Sequence, residues 1–166
     1  METAVATTAA STIVYALEPR IDAEELLEFY RAQHHPTPKS PEKIQHMLKN
    51  SDCFVAAREP SGALIGVARG LTDGVRGYLV ECKLDPRYQG PAAVTRTDGR
   101  IEHDDQGIAR ALALRVLLAL RDMGCERIDV LAYGTEVDFC EELGFRRSSG
   151  MVALSLDPAR LPQAAN

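Results

Sequence analysis

Apolar and polar positions change period several times along the chain, and each change marks an element. Residues 12–17 are rich in β-branched and aromatic side chains and predict a first strand. Asp22 then reads as a helix cap. Glu24 and Glu25 follow in the first turn, and Leu26, Leu27, Phe29 and Tyr30 form the apolar face. His34-His35-Pro36-Thr37-Pro38 ends that helix, and Ser40-Pro41 starts another with Ile44, Met47 and Leu48 as its buried stripe. From Asp52 the period shortens. Residues 53–58 and 63–71 read as two strands joined by Glu59-Pro60-Ser61-Gly62, and Thr72-Asp73-Gly74 leads into a third at 75–84. An irregular stretch, 85–105, precedes a long helix over 107–123, with Ile108, Ala111, Leu112, Leu114, Val116, Leu117 and Leu120 at helical spacing and Gly124 as its left-handed stop. A strand at 127–133, a short helix at 135–143 closed by Gly144, and a last strand at 151–156 complete the series.

The order is β-α-α-β-β-β-α-β-α-β. Hairpins come first and helix-crossed strands later, which predicts an α/β (α+β) mixed sheet with helices on both faces. One domain is expected over 12–157, between tails at 1–11 and 158–166; the N-terminal stretch lacks the basic region and apolar core of a signal peptide.

Composition narrows the function classes. The 166 residues are 45% apolar and 26% charged, and the formal net charge of −5 gives no electrostatic support to nucleic-acid binding. The longest apolar run, around 111–120, is broken by Arg115 and is too short to span a bilayer, so no membrane role is expected. Cys53, Cys82, Cys125 and Cys140 are scattered through apolar patterns, which predicts buried thiols in a reducing cytoplasm rather than a disulfide framework. The four histidines lack the H-x-x-x-H and H-E-x-x-H spacings, so no metal is expected. G-x-S-x-G and G-K-[ST] are also absent, which argues against hydrolase and NTPase readings.

The candidate chemistry lies between residues 80 and 145. Gln106-Gly107-Ile108-Ala109 opens a long helix at a glycine, and such a helix start offers backbone N–H groups to a phosphate. Three flanking motifs strengthen the reading. Leu84-Asp85-Pro86-Arg87-Tyr88-Gln89-Gly90 looks like the V-x-P-x-Y-Q-G strand end of the GNAT superfamily N-acetyltransferases. Gly107-Ile108-Ala109-Arg110-Ala111-Leu112 resembles their G-I-G/A-x-A-L helix start, and Asp138-Phe139-Cys140-Glu141-Glu142-Leu143-Gly144-Phe145 is similar to their x-F-Y-E-x-L-G-F signature. The three stand in the family's order.

The resemblance implies the GNAT fold and direct transfer of an acetyl group from acetyl-CoA to an amine of a small molecule or peptide. It implies that Gln106, Gly107, Ile108, Ala109 and Arg110 hold the diphosphate, with Leu84, Asp85 and Gln89 beside the rest of the CoA. A backbone N–H near Lys83 or Leu84 would meet the developing oxyanion. Glu81, where many relatives carry an acid, is the candidate base; the competing reading is an ion pair with Lys83 or a nearby arginine. Alternation places Glu81 and Lys83 on one face, with Val80 and Cys82 on the other. A partly buried Glu81 would have a raised pKa.

Two departures bear on activity. Residues 91–105 separate Gly90 from Gln106, which are nearly continuous in most relatives, and Glu102, Asp104 and Asp105 precede the phosphate site. Either these carboxylates point away, with Asp105 capping the helix, or CoA binding is weak or lost. Cys140 stands where many relatives have the tyrosine that protonates the leaving thiolate; its other reading is helix packing, with Tyr133 as a substitute acid. His34 and His35 lie where the family covers its acceptor cleft, although paired loop histidines are commonly solvated. Dimerisation is common among members of the family, so the resemblance allows a homodimer, whose interface nothing in the sequence fixes. The alternative function is a non-catalytic CoA-sensing or protein-binding module.

Overall fold

The computed structural model describes residues 12–17, 20–33, 40–89, 106–132 and 136–163. Its elements are β1 (Val14–Leu17), α1 (Ala23–Ala32), α2 (Pro41–Asn50), β2 (Cys53–Arg58), β3 (Leu64–Thr72), β4 (Arg76–Leu84), α3 (Ile108–Asp122), β5 (Arg127–Val130) and α4 (Val137–Glu142). Short 3₁₀ turns stand at Pro86–Tyr88 and Pro158–Arg160. The sheet order is β1-β2-β3-β4-β5. The first four strands are antiparallel neighbours, and β5 runs parallel to β4 after the α3 crossover. The mixed α/β architecture expected from the periodicity is therefore present.

Each face of the sheet has its own core. α1 and α2 bring Leu26, Leu27, Tyr30 and Ile44 against Phe54 and Val67. α3 covers the other face, where Ile108, Leu112, Val116 and Leu120 pack with Val55, Ala57, Ala68 and Leu84. Two glycines of β3 set how close α3 lies. A Cβ on Gly66 would stand 2.7 Å from Leu112 Cδ1, and one on Gly70 would stand 2.8 Å from Val116 Cγ1. Bare backbone at both positions lets the helix seat on the strand.

Local starts and stops largely follow the sequence. Ser40 Oγ accepts from the Lys43 N–H, with Pro41 in the first turn. Gly124 takes φ 92° and Gly144 φ 105° at the ends of their helices, the left-handed geometry that glycine adopts at least cost. Asp22 differs: it occupies the cap position of α1, but its side chain makes no capping bond.

Three expectations need correction. Of the strand predicted over 127–133, Arg127–Val130 pair with β4 and Leu131 and Ala132 do not, while Tyr133 lies outside the described residues. Val80 does not keep to the alternation expected with Cys82. Arg69 faces Glu81 while Gly70 faces Leu79, so a register shift leaves Val80 as the extra residue of β4, 41% exposed. Residues 151–156 form no ladder: Val152 is 80% and Leu154 is 89% exposed. Alternating apolar side chains make a strand only where an edge accepts the backbone bonds, and among the described residues no strand pairs with this segment.

No disulfide links the four cysteines; Cys53 and Cys140 are buried, and Cys82 and Cys125 half-buried. Among the described residues no helix is long and apolar enough to cross a membrane, and no group of three or more His, Cys, Asp or Glu is arranged to hold a metal.

Candidate functional site

β4 and β5 pair only from Arg76–Arg127 to Leu79–Val130, whereas β4 continues to Leu84. Parallel strands that part in this way leave backbone groups of the longer strand facing the gap. Direction follows from the ladder. The Asp85 N–H donates to the Ile65 carbonyl on β3 at 2.7 Å, so the N–H and C=O of Leu84 point the opposite way, toward the β5 side. The Gln89 amide reaches round the Pro86–Tyr88 turn and donates to that Leu84 carbonyl at 2.6 Å. Asp85 sets the turn itself: its carboxylate accepts from the Arg87 N–H at 2.9 Å and pairs with the Arg87 guanidinium.

The start of α3 is held against the same part of β4. Cys82 Sγ donates to the Ala109 carbonyl at 3.4 Å, and Ile108 and Ala109 are fully buried. Gly107 precedes the helix in left-handed geometry, φ 67°, where a larger residue would be strained. The first bond within the helix runs from the Ala111 N–H to the Gly107 carbonyl. The N–H groups of Ile108 and Arg110 therefore have no acceptor inside the helix, and they lie at its positive end. Among the described residues, a Cβ on Gly107 would meet nothing within 4 Å, so they leave the approach open. A phosphate fits this helix start on both counts, donors and room. Arg110 lies along it, its guanidinium within 3.5 Å of the Glu142 carbonyl at the end of α4.

Arg69, Glu81 and Tyr30 meet on the opposite face. The Tyr30 hydroxyl donates to Glu81 Oε1, and Arg69 Nε lies 3.5 Å from the same oxygen. Both charged side chains are only 14% exposed. Burial and the neighbouring Glu81 carboxylate push the Tyr30 phenol far above its ordinary range, so it stays protonated and acts as donor. The Lys83 ammonium stands 5.1 Å from the centre of the Tyr30 ring. Glu81 and Lys83 thus share a face, as their spacing predicted.

No protein-family model matches the chain, and no curated protein matches it. Solved structures do. A GNAT-family acetyltransferase from Streptococcus pneumoniae TIGR4 is 19% identical and superposes with TM-score 0.64 over 88% of this chain and all of that one. An acetyltransferase from Trypanosoma brucei, also 19% identical, gives TM-score 0.64 over 87% of this chain and 100% of that one. The aminoglycoside N-acetyltransferase AAC(6')-Iy in complex with CoA, 13% identical, gives 0.62 over 90% and 97%. The fold is that of the GNAT acetyltransferases. At these identities the likeness is one of fold.

Within the GNAT fold the expected CoA-side residues fall into two groups. Leu84, Asp85 and Gln89 gather at the end of β4, and Gly107, Ile108, Ala109 and Arg110 form the first turn of α3 with Gln106 just before it. Ile108 and Ala109 are buried, which leaves their backbone as the part able to meet a ligand. Cys140 packs into the α3 core, and burial pushes its thiol up to about 11. Tyr133, His34, His35 and the segment 91–105, including Asp105 as a cap, lie outside the described residues.

Tyr30 and Arg69, the partners of Glu81, had no role in the sequence reading. By its spacing Tyr30 belongs to the apolar face of α1, which hides its hydroxyl's role. Counting back from the Thr72–Gly74 turn would have set Arg69 opposite Val80, and only the register shift brings it to Glu81.

Proposed function

We propose that this chain is an acetyl-CoA-dependent N-acetyltransferase acting on an amine of a small molecule or peptide. The observation that carries the reading is the parting of β4 from β5 beside an α-helix that starts at an open glycine, in a fold shared with acetyltransferases, one of them solved with CoA. In this reading acetyl-CoA supplies an activated thioester, attacked directly by the amine. The chain's own part is mainly alignment of the two reactants. The first turn of α3 takes the diphosphate on backbone N–H groups, and the edge of β4 lies along the pantetheine as an added strand would. The Leu84 N–H is the oxyanion donor, because it faces the gap. Glu81 takes a proton from the acceptor amine, which must be neutral to attack. For the proton due to the leaving thiolate the chain offers Tyr133 and Cys140.

A second reading, a CoA-binding module without turnover, is favoured by one observation. Cys140 is buried, and a thiol raised to about 11 is a weak proton donor near neutral pH.

One experiment separates these readings. Under the enzyme reading, acetyl-CoA raises the melting temperature and, with amine acceptors from a panel, releases thiol. Gly107→Glu abolishes the thermal shift by placing bulk and negative charge at the helix start. A thermal shift without thiol release across the panel selects the binding module. No shift with the wild-type chain sinks both.

A further inference from the structure

Around Glu81, the face of the sheet under α1 holds more hydrogen-bond donors than acceptors. Glu81 and Lys83 lie opposite Arg69 and Val67 of β3, so their side chains leave the same face. The Glu81 carboxylate already accepts from Tyr30 and faces Arg69. Two donors are left over. Among the described residues, Arg69 Nε and Gln33 Nε2 are the buried side-chain atoms that reach no hydrogen-bond partner. Arg69 Nε is in ion-pair range of Glu81 at 3.5 Å, but too far for a good hydrogen bond. Gln33 follows Tyr30 by three residues and keeps helical backbone angles at the end of α1, which puts it on the same face one turn on. It is 5% exposed. The Lys83 ammonium, held over the Tyr30 ring, adds a second cation. Protein interiors leave few donors unmatched, and water can meet an orphan amide without balancing charge. Donors and cations gathered in one place call for an anionic oxygen.

We infer that the acceptor is an amine carrying an anionic oxygen group, a carboxylate or a phosphate, close to its nitrogen. This rests on the acetyltransferase reading, with the amine at Glu81. The anion lies toward Lys83 and the Gln33 amide, which give it one charge-assisted and one neutral hydrogen bond. Glu81 and Lys83 are roughly 7 Å apart along the strand, a span that a short amino acid or aminoalkyl phosphate bridges between its charged ends. The same arrangement selects against a diamine, whose second ammonium would stand beside Lys83 and Arg69.

Thiol release from acetyl-CoA tests this on the full chain with matched acceptors: β-alanine against β-alaninamide, aminoethyl phosphate against ethanolamine, and diaminobutane. The anionic member of a pair is expected to have the higher kcat/KM, and the pair that shows it tells carboxylate from phosphate. Lys83→Met and Gln33→Leu are each expected to lower the anionic-to-neutral ratio of kcat/KM by about 10-fold or more, mainly through KM, and Lys83→Arg to restore most of it. The change in ratio cancels the different basicities of the paired amines. A ratio that Lys83→Met leaves unchanged overturns the proposal, as does a wild-type preference for the neutral amines or the diamine. If no amine releases thiol, the acetyltransferase reading fails by itself. Calorimetric titration with the same pairs, CoA present, then decides the anion site. Tighter binding of an anionic member, lost in Lys83→Met, upholds it; equal binding or none overturns it.

Discussion

Glu81 has two tasks written into one carboxylate. It accepts from Tyr30 and faces Arg69, so it holds a hydrogen-bonded cluster between α1 and the sheet, and it is the proposed base. The tasks separate in experiment. Glu81→Gln keeps an acceptor for Tyr30 and is expected to lower kcat by about 10²-fold or more, with acetyl-CoA affinity unchanged and the acid limb of the pH–rate profile lost. Arg69→Met leaves a mostly buried carboxylate without its cation and is expected to cost roughly 3 kcal/mol in urea unfolding. If Glu81→Gln instead leaves the pH–rate profile unchanged, Glu81 serves the fold alone. The need for a charged pair on this face was legible in the sequence as an open alternative. The partner was not, because a one-residue shift in the β3–β4 register chose it.

At the scale of elements, the site depends on how closely α3 approaches the sheet. Gly70 is the sharpest case, since a Cβ there meets Val116 and both Leu120 methyl groups within 3.3 Å. Gly70→Val is expected to destabilise by about 1–3 kcal/mol through overpacking, read as a lower urea midpoint with an unchanged m-value. The helix itself was plain in the sequence, from Gly107 to its left-handed stop at Gly124, because its apolar positions repeat at helical spacing over several turns. The reason for glycine at 66 and 70 was not, since close approach is a property of two elements together.

Across the whole molecule, the late strand is secured to the early hairpins at one charged crossing. Asp129 on β5 accepts from Arg76 on β4 at 2.9 Å and from Arg127 at 2.9 Å. The hydrogen bond from Arg76, then that from Arg127, holds its carboxyl below the usual range. Its contribution is therefore present above the unfolded carboxylate pKa, near 3.9, and is lost as pH falls through the lower folded value. Asp129→Asn is expected to lower the melting temperature near neutral pH, with the difference from wild type shrinking to nothing in strong acid. A gap that stays constant across that range would remove the ion pairs as its cause.

Most local structure followed from sequence because its causes are local. Helical spacing in α1, α2 and α3, proline and serine at the start of α2, and glycine at the helix ends each act within a few residues of themselves. The motifs from Leu84 to Phe145 likewise carried the fold, since a glycine-started helix after a strand needs only neighbouring residues to take shape. Tertiary structure alone decided the partner of Glu81, the outward aim of the Leu84 N–H and the fate of residues 151–156. Each of these depends on which strand lies beside which, and in what register. A segment with the right alternation becomes a strand only when an edge is there to receive it.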